Sequence, residues 1–241
     1  MSSTSATSES VHRSSSSRRV RVGLDVMDIH TRVAEANRAR LDAAGCLTLN
    51  LMSGPGAGKT SLLVETLSRL APEAPCAVIE GDQETDHDAA RIRATGVPAL
   101  QVNTKAGCHL EAEMLFEALD RQPPPAGGYL FVENVGNLVC PAGFPLGDHR
   151  RVVLLCVTDG EDKPLKYPYI FAKADLVLLS KIDLEPHLGF DRERCEAWLR
   201  RVNPTAPLLA VSTRTGQGLE DWLGWLRTTR ETYLSEQRTF R

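Results

Sequence analysis

The sequence predicts an α/β fold, a doubly wound and mainly parallel sheet with helices on both faces. Three observations predict it. A glycine-rich loop joins an apolar run to a helical pattern within residues 46–67, short apolar runs recur down the rest of the chain, and helical periodicities alternate with those runs. Strands buried on both faces of a parallel sheet read as unbroken apolar stretches, and their alternation with helices is the pattern of α/β winding.

The elements follow in order. Residues 1–19 are rich in Ser and Thr, hold little to bury and end in Arg18-Arg19; they are expected to be a disordered tail. A transit peptide is the competing reading, against which stands the lack of Arg-rich amphipathic periodicity. The rest, 20–241, is long enough for one domain with a full core. Between Val26 and Ala44, the spacing of Ile29, Val33, Ala34, Leu41 and Ala44 predicts a helix stopped by Gly45. The strand Cys46–Met52 then leads into Ser53-Gly54-Pro55-Gly56-Ala57-Gly58-Lys59-Thr60 and a helix opening at Ser61. Further strands are expected at Cys76–Glu80, Ala99–Asn103, Tyr129–Glu133, Val152–Val157, Leu176–Ser180 and Leu208–Ser212, with helices at Ala89–Ala94, Leu110–Leu119, Cys195–Val202 and Leu219–Leu226. Pro123-Pro124-Pro125 with Gly127-Gly128 is a loop. No internal repeat is present.

Bulk properties exclude several classes. A net charge of −3 gives no basic field for nucleic acid or an anionic membrane. The longest apolar runs, about six residues, fall well short of a membrane span. Six scattered cysteines fit reduced thiols in the cytoplasm better than a disulfide framework.

The octapeptide matches the phosphate-loop pattern G-x-x-x-x-G-K-S/T except at its first position, held by Ser53. Gly54, Gly56 and Gly58 let backbone N–H groups converge on phosphates, Lys59 reaches the terminal phosphates, Thr60 can ligate Mg²⁺, and Ser61 completes the first helical turn. Ser180-Lys181-Ile182-Asp183 stands at a strand's carboxyl end, where open α/β sheets bind ligands. A carboxylate there accepts the N1–H and exocyclic amine of guanine, and the Lys181 stem covers the base. The spacing matches NKxD, with Ser180 where Asn would brace base and phosphate loop; GTPases of the signal-recognition class carry Thr at that place. Ser212, beside the last strand, supplies a weaker base contact. Two acids, Asp82 in Glu80-Gly81-Asp82 and Glu133 in Glu133-Asn134-Val135-Gly136, are expected near Mg²⁺, either of them a direct ligand. Lys59, Asp82 and Glu133 form the expected catalytic set. No Gln follows Gly136 to orient water, and Gln83 is an unproven substitute, so hydrolysis is expected to be slow.

Cys108-His109 and Cys140 offer thiolate and imidazole donors suited to Ni²⁺, Zn²⁺ or Cu, leaving a position open. Cysteine is equally a small buried hydrophobe, and Cys46, Cys76, Cys156 and Cys195 read as packing. His87, His149 and His187 read as surface residues.

Together these runs, with Phe131-Val132-Glu133-Asn134-Val135-Gly136-Asn137-Leu138-Val139-Cys140-Pro141 and Asp162-Lys163-Pro164-Leu165-Lys166-Tyr167-Pro168, resemble the HypB family, GTPases of nickel insertion into hydrogenases. The related urease nickel GTPase, with Cys-Pro-His, fits less well. The resemblance implies a GTP-dependent homodimer whose Cys108, His109 and Cys140 meet near the two-fold and bind nickel or zinc. It also implies partners: a HypA-type metallochaperone and the hydrogenase large-subunit precursor. The tail lacks the family's Cys-rich or His-rich nickel stretches, so storage is not expected. Three other readings compete: a dimeric nickel or zinc carrier in which nucleotide mainly controls dimerisation, a urease-type nickel GTPase, and a small-molecule kinase, the last disfavoured by Asp183.

Overall fold

The computed structural model describes residues 29–82, 87–104 and 107–239. The tail at 1–19, the expected helix start at Val26 and Gln83 lie outside the described residues. Helix α1 covers 29–43, then β1 Leu47–Ser53, α2 Lys59–Leu70, β2 Cys76–Asp82, α3 His87–Arg93, β3 Ala99–Asn103, α4 Ala112–Arg121 and β4 Tyr129–Glu133. The second half holds β5 Arg150–Cys156, α5 Lys163–Lys166, α6 Pro168–Ala172, β6 Leu176–Ser180, α7 Arg192–Val202, β7 Leu208–Val211 and α8 Leu219–Thr239.

The strands form one sheet in the order β3-β2-β4-β1-β5-β6-β7, and every pairing is parallel. Side chains alternate across it, as a two-residue period requires. Leu49, Leu51, Val78, Phe131, Leu154 and Leu178 face a core closed by Leu63 and Leu67 of α2, Ile92 of α3 and Trp222 and Leu226 of α8. On the opposite face Ile79, Leu130 and Val132 pack with Leu41 of α1 and Leu115 of α4, while Val153, Leu155 and Val177 pack with Phe171 of α6 and Leu199 of α7. Cys46, Cys76, Cys156 and Cys195 are all buried in these layers.

Three differences from the sequence reading have physical causes. Helix α8 runs well past Leu226, because Tyr233 is buried again after a polar interval and Arg227 and Arg230 are tied down by Glu73 and the Gly127 carbonyl. Two short helices, α5 and α6, each open with a proline in the first turn, where its missing N–H costs nothing. His149 is a correction: it is buried, not on the surface. Its Nδ1 accepts the Thr48 N–H at 3.0 Å, so the ring proton sits on Nε2, which donates to Asp42 Oδ1 at 2.8 Å. His87 and His187 are exposed. Among the described residues no helix is long and apolar enough to cross a membrane.

Candidate functional site

Strand order decides what meets the phosphate loop. Because β4 lies between β1 and β2, Glu133 is level with Leu51 of β1 and Glu80 of β2, at the carboxyl ends where the loop begins. Gly56 and Gly58 have φ of 72° and 97°, a left-handed backbone that glycine adopts without strain, and Gly58 caps α2. Ser53, the departure from the pattern, is fully buried; it donates to the Gly54 carbonyl at 2.6 Å and accepts from Lys59 Nζ at 3.0 Å. The lysine is thereby held over the loop.

The acids separate. Glu133 Oε1 accepts from Thr60 Oγ1 at 2.8 Å, whereas Asp82 stands two residues beyond the level of Glu133, paired in register with Asn103. Burial pushes the Glu133 carboxyl up to about 7, against the opposing pull of Lys59 and Thr60. Burial likewise lowers the Lys59 ammonium, with Glu133 opposing. Glu133 Oε2 is buried with no hydrogen-bond partner. An orphaned carboxylate oxygen beside a threonine hydroxyl fits a hard, oxygen-seeking cation such as Mg²⁺.

Lys59, Thr60 and Glu133, but not Asp82, line a cavity of about 310 Å³ bounded also by Gly56, Gly58, Ser61 and Lys181, together with Asp88 and Arg91. The last two were missed as site residues. Arg91 donates to Asp88 Oδ1 at 3.1 Å and to Ser61 Oγ at 3.2 Å, bringing a guanidinium to the phosphate side of α3. The only sequence signal was the run Asp88-Ala89-Ala90-Arg91, three residues apart on one helical face.

At the base end, Lys181 is the single non-glycine residue with positive φ among the described residues, at 59°. That strained backbone turns its stem across the loop, where Nζ donates to the Gly56 carbonyl at 2.7 Å. Ser180 Oγ donates to the Ala57 carbonyl at 2.7 Å, so the hydroxyl braces the loop where an amide would. Asp183 accepts from Ser212 Oγ at 2.6 Å, which joins the two base loops expected separately. A larger groove, about 550 Å³ and lined by residues such as Arg38, Asp148 and Arg151, lies at the opposite ends of the strands and shares no residue with this site.

The three soft donors converge as well. Donor atoms of Cys108, His109 and Cys140 all lie within 4.8 Å of one another. Cys108 Sγ is 3.5 Å from His109 Nδ1, and the imidazole is stacked on Phe144 with centroids 4.2 Å apart. Contact with Cys140 raises the Cys108 thiol, and burial lowers the His109 imidazole. Metal binding must therefore displace thiol protons. His109 Nε2 is buried without a partner. Asn137 Oδ1 accepts the Val139 N–H at 2.8 Å and the Cys140 N–H at 3.4 Å, which turns the chain so that Cys140 faces Cys108. Gly136, between Glu133 and Cys140, lies so close to the phosphate loop that a Cβ there would stand 2.8 Å from Pro55 Cα.

Comparison with known proteins is consistent with this geometry. The nucleotide-binding domain family CobW/HypB/UreG matches residues 47–210. The hydrogenase maturation factor HypB of Escherichia coli K12 is 57% identical over 213 residues, covering 88% of this chain and 73% of that protein. The crystal structure of HypB from Archaeoglobus fulgidus superposes with a TM-score of 0.80 at 36% identity, covering 85% of this chain and all of that one. The crystal structure of HypB from Helicobacter pylori in complex with nickel gives 0.78 at 37% identity, covering 85% and 96%.

Proposed function

Since the chain belongs to the HypB family of hydrogenase maturation factors, we propose that it binds and slowly hydrolyses GTP to gate delivery of nickel during hydrogenase maturation. The observation that carries this reading is the segment Glu133–Cys140. Its first residue touches Thr60, its middle packs on Pro55, and its last is a metal donor.

In hydrolysis, water attacks the γ-phosphorus, the bond to the β,γ-bridging oxygen breaks, and GDP and phosphate leave. Lys59, held ready by Ser53, neutralises the charge that gathers on the phosphoryl oxygens. Thr60 and Glu133, with Asp82 nearby, would hold Mg²⁺, which would supply positive charge against the phosphate. Asp183 selects guanine, steadied by Ser212, while Lys181 covers the base. Asn137 follows Gly136 but its side-chain oxygen already accepts two backbone N–H groups, so that oxygen is not free to accept a proton from an attacking water. That supports slow turnover.

Nickel is the cargo, with Zn²⁺ an alternative occupant of the same donors. Three donors leave the coordination incomplete, which favours a homodimer pooling both sets. Val139, 63% exposed beside Cys140, and Leu165 and Tyr169, 41% and 55% exposed on α5 and α6, supply apolar surface for it. A HypA-type metallochaperone and the hydrogenase large-subunit precursor are the donor and acceptor of nickel in this scheme, residues 20–241 act as one domain, and the cytoplasm, which keeps thiols reduced, is the setting. Isothermal titration of the full chain tests the nucleotide assignment. GTP should bind at least about tenfold more tightly than ATP, a preference of roughly 1.4 kcal/mol. Equal affinities would overturn it.

A further inference from the structure

Cys140 shares a segment with Glu133, but the other arm of the metal cluster, Cys108-His109, follows β3 and has no chain connection to the phosphate site. It is anchored through the next residue, Leu110. The Leu110 N–H donates to Asn134 Oδ1 at 3.0 Å, and the same oxygen accepts the Val135 N–H at 3.0 Å. Asn134 Nδ2 donates to Asn50 Oδ1 of β1 at 3.2 Å, and the Asn134 backbone N–H donates to the Leu51 carbonyl at 3.0 Å. Asn134 is 1% exposed, as is Leu110. The Leu110 side chain lies on Gly81, where a Cβ would stand 2.6 Å from its Cγ. Helix α4 starts at Ala112, two residues later than its apolar spacing suggests, after an extended Glu111.

We propose that Asn134 is the positioning residue that carries nucleotide state to the Cys108-His109 arm. This rests on the reading that nucleotide gates the metal site. The Thr60 hydroxyl is bonded to Glu133, so a nucleotide whose cation claims Thr60 must rearrange that contact, and Asn134 is the next residue. One amide oxygen holds the N–H of the switch peptide and the N–H at the root of the metal arm. When Val135 moves, Leu110 either follows or leaves a buried donor without an acceptor. Asparagine suits the position because its oxygen accepts twice while its amide nitrogen donates to Asn50; serine is too short to do both. The two metal arms thus shift as one body, Cys140 through the backbone and Cys108-His109 through this bond.

The test is competition titration of Ni²⁺ against a chromophoric chelator, on the full chain with GTPγS and with GDP. Wild type should show different nickel affinities in the two states. In Asn134→Ala the ratio should collapse to within about twofold of unity, while nickel stoichiometry persists and metal-free GTPγS affinity stays within about threefold. Gly81→Ala, whose methyl displaces Leu110 with Asn134 intact, should also collapse the ratio, and carries the test if Asn134→Ala does not fold. A wild-type ratio in either folded variant overturns the proposal, as does an equal loss of affinity in both states with the ratio kept, which marks a structural role only. A wild-type chain with one nickel affinity in both states overturns the gating reading beneath it.

Discussion

The two ends of the same strands are built on opposite rules. At their amino ends, Asp42 Oδ1 gathers His149, Tyr233 and Gln237 within 2.8–3.0 Å, and both nitrogens of the His149 ring are satisfied. This ties α1, β1, β5 and α8 together. At their carboxyl ends, Glu133 Oε2 and His109 Nε2 are buried and unpaired, on side chains able to ligate metals. A closed network holds the fold, whereas leftover polar atoms on ligating side chains mark where something else binds. An orphan atom alone is not diagnostic: Asn37 Oδ1 is also buried and unpaired, and no ligand role follows from it.

The carboxyl end itself should come apart into two halves, and this is the largest effect expected. Lys59→Ala should lower kcat/KM for GTP by about 10²–10³ while sparing nickel stoichiometry. Cys140→Ala should weaken nickel by at least about 100-fold, beyond the loss of a supporting group, while sparing GTPγS affinity. Turnover assays and metal titration on both variants measure this crossed pattern, and either variant losing both functions would merge the halves.

The amino end should announce itself through pH. Burial lowers the His149 pKa to about 4, so folding keeps this imidazole neutral. Its contribution to stability is complete above the unfolded value near 6.5 and declines as pH falls from there toward 4, by roughly 2–3 kcal/mol in all. Urea unfolding at pH 7.5, 6 and 4.5 should show that decline, reduced in His149→Gln. A decline undiminished in the variant would assign it to other groups.

The smallest effect belongs to the base loop. Ser180→Ala removes one hydrogen bond to the Ala57 carbonyl and should weaken GTP by up to about tenfold, with its preference over ATP unchanged. A loss of preference would place guanine discrimination in Ser180 rather than Asp183.

Much of this was legible in the sequence, for definable reasons. Strands buried on both faces leave unbroken apolar runs, and the phosphate loop needs glycines at set places, so both stand out in one dimension. The donors Cys108, His109 and Cys140 were visible as residue types, and the structure brings them together. What stayed hidden depends on strand order. That Glu133 rather than Asp82 touches Thr60 follows from β4 lying between β1 and β2. Arg91 becomes a site residue only because α3 packs beside α2. His149 reads as a surface residue in the sequence because its partners, Asp42 and Tyr233, are 107 and 84 positions away in the chain.

In the proposed scheme one segment reads nucleotide at Glu133 and reports it at Cys140. The most direct measurement is the thiolate-to-nickel charge-transfer absorption of the nickel-loaded chain as GDP is exchanged for GTPγS at constant metal. Exchange should change the band's position or intensity, and return to GDP should reverse the change. A spectrum identical in both nucleotide states, with both nucleotides shown to be bound, would contradict it.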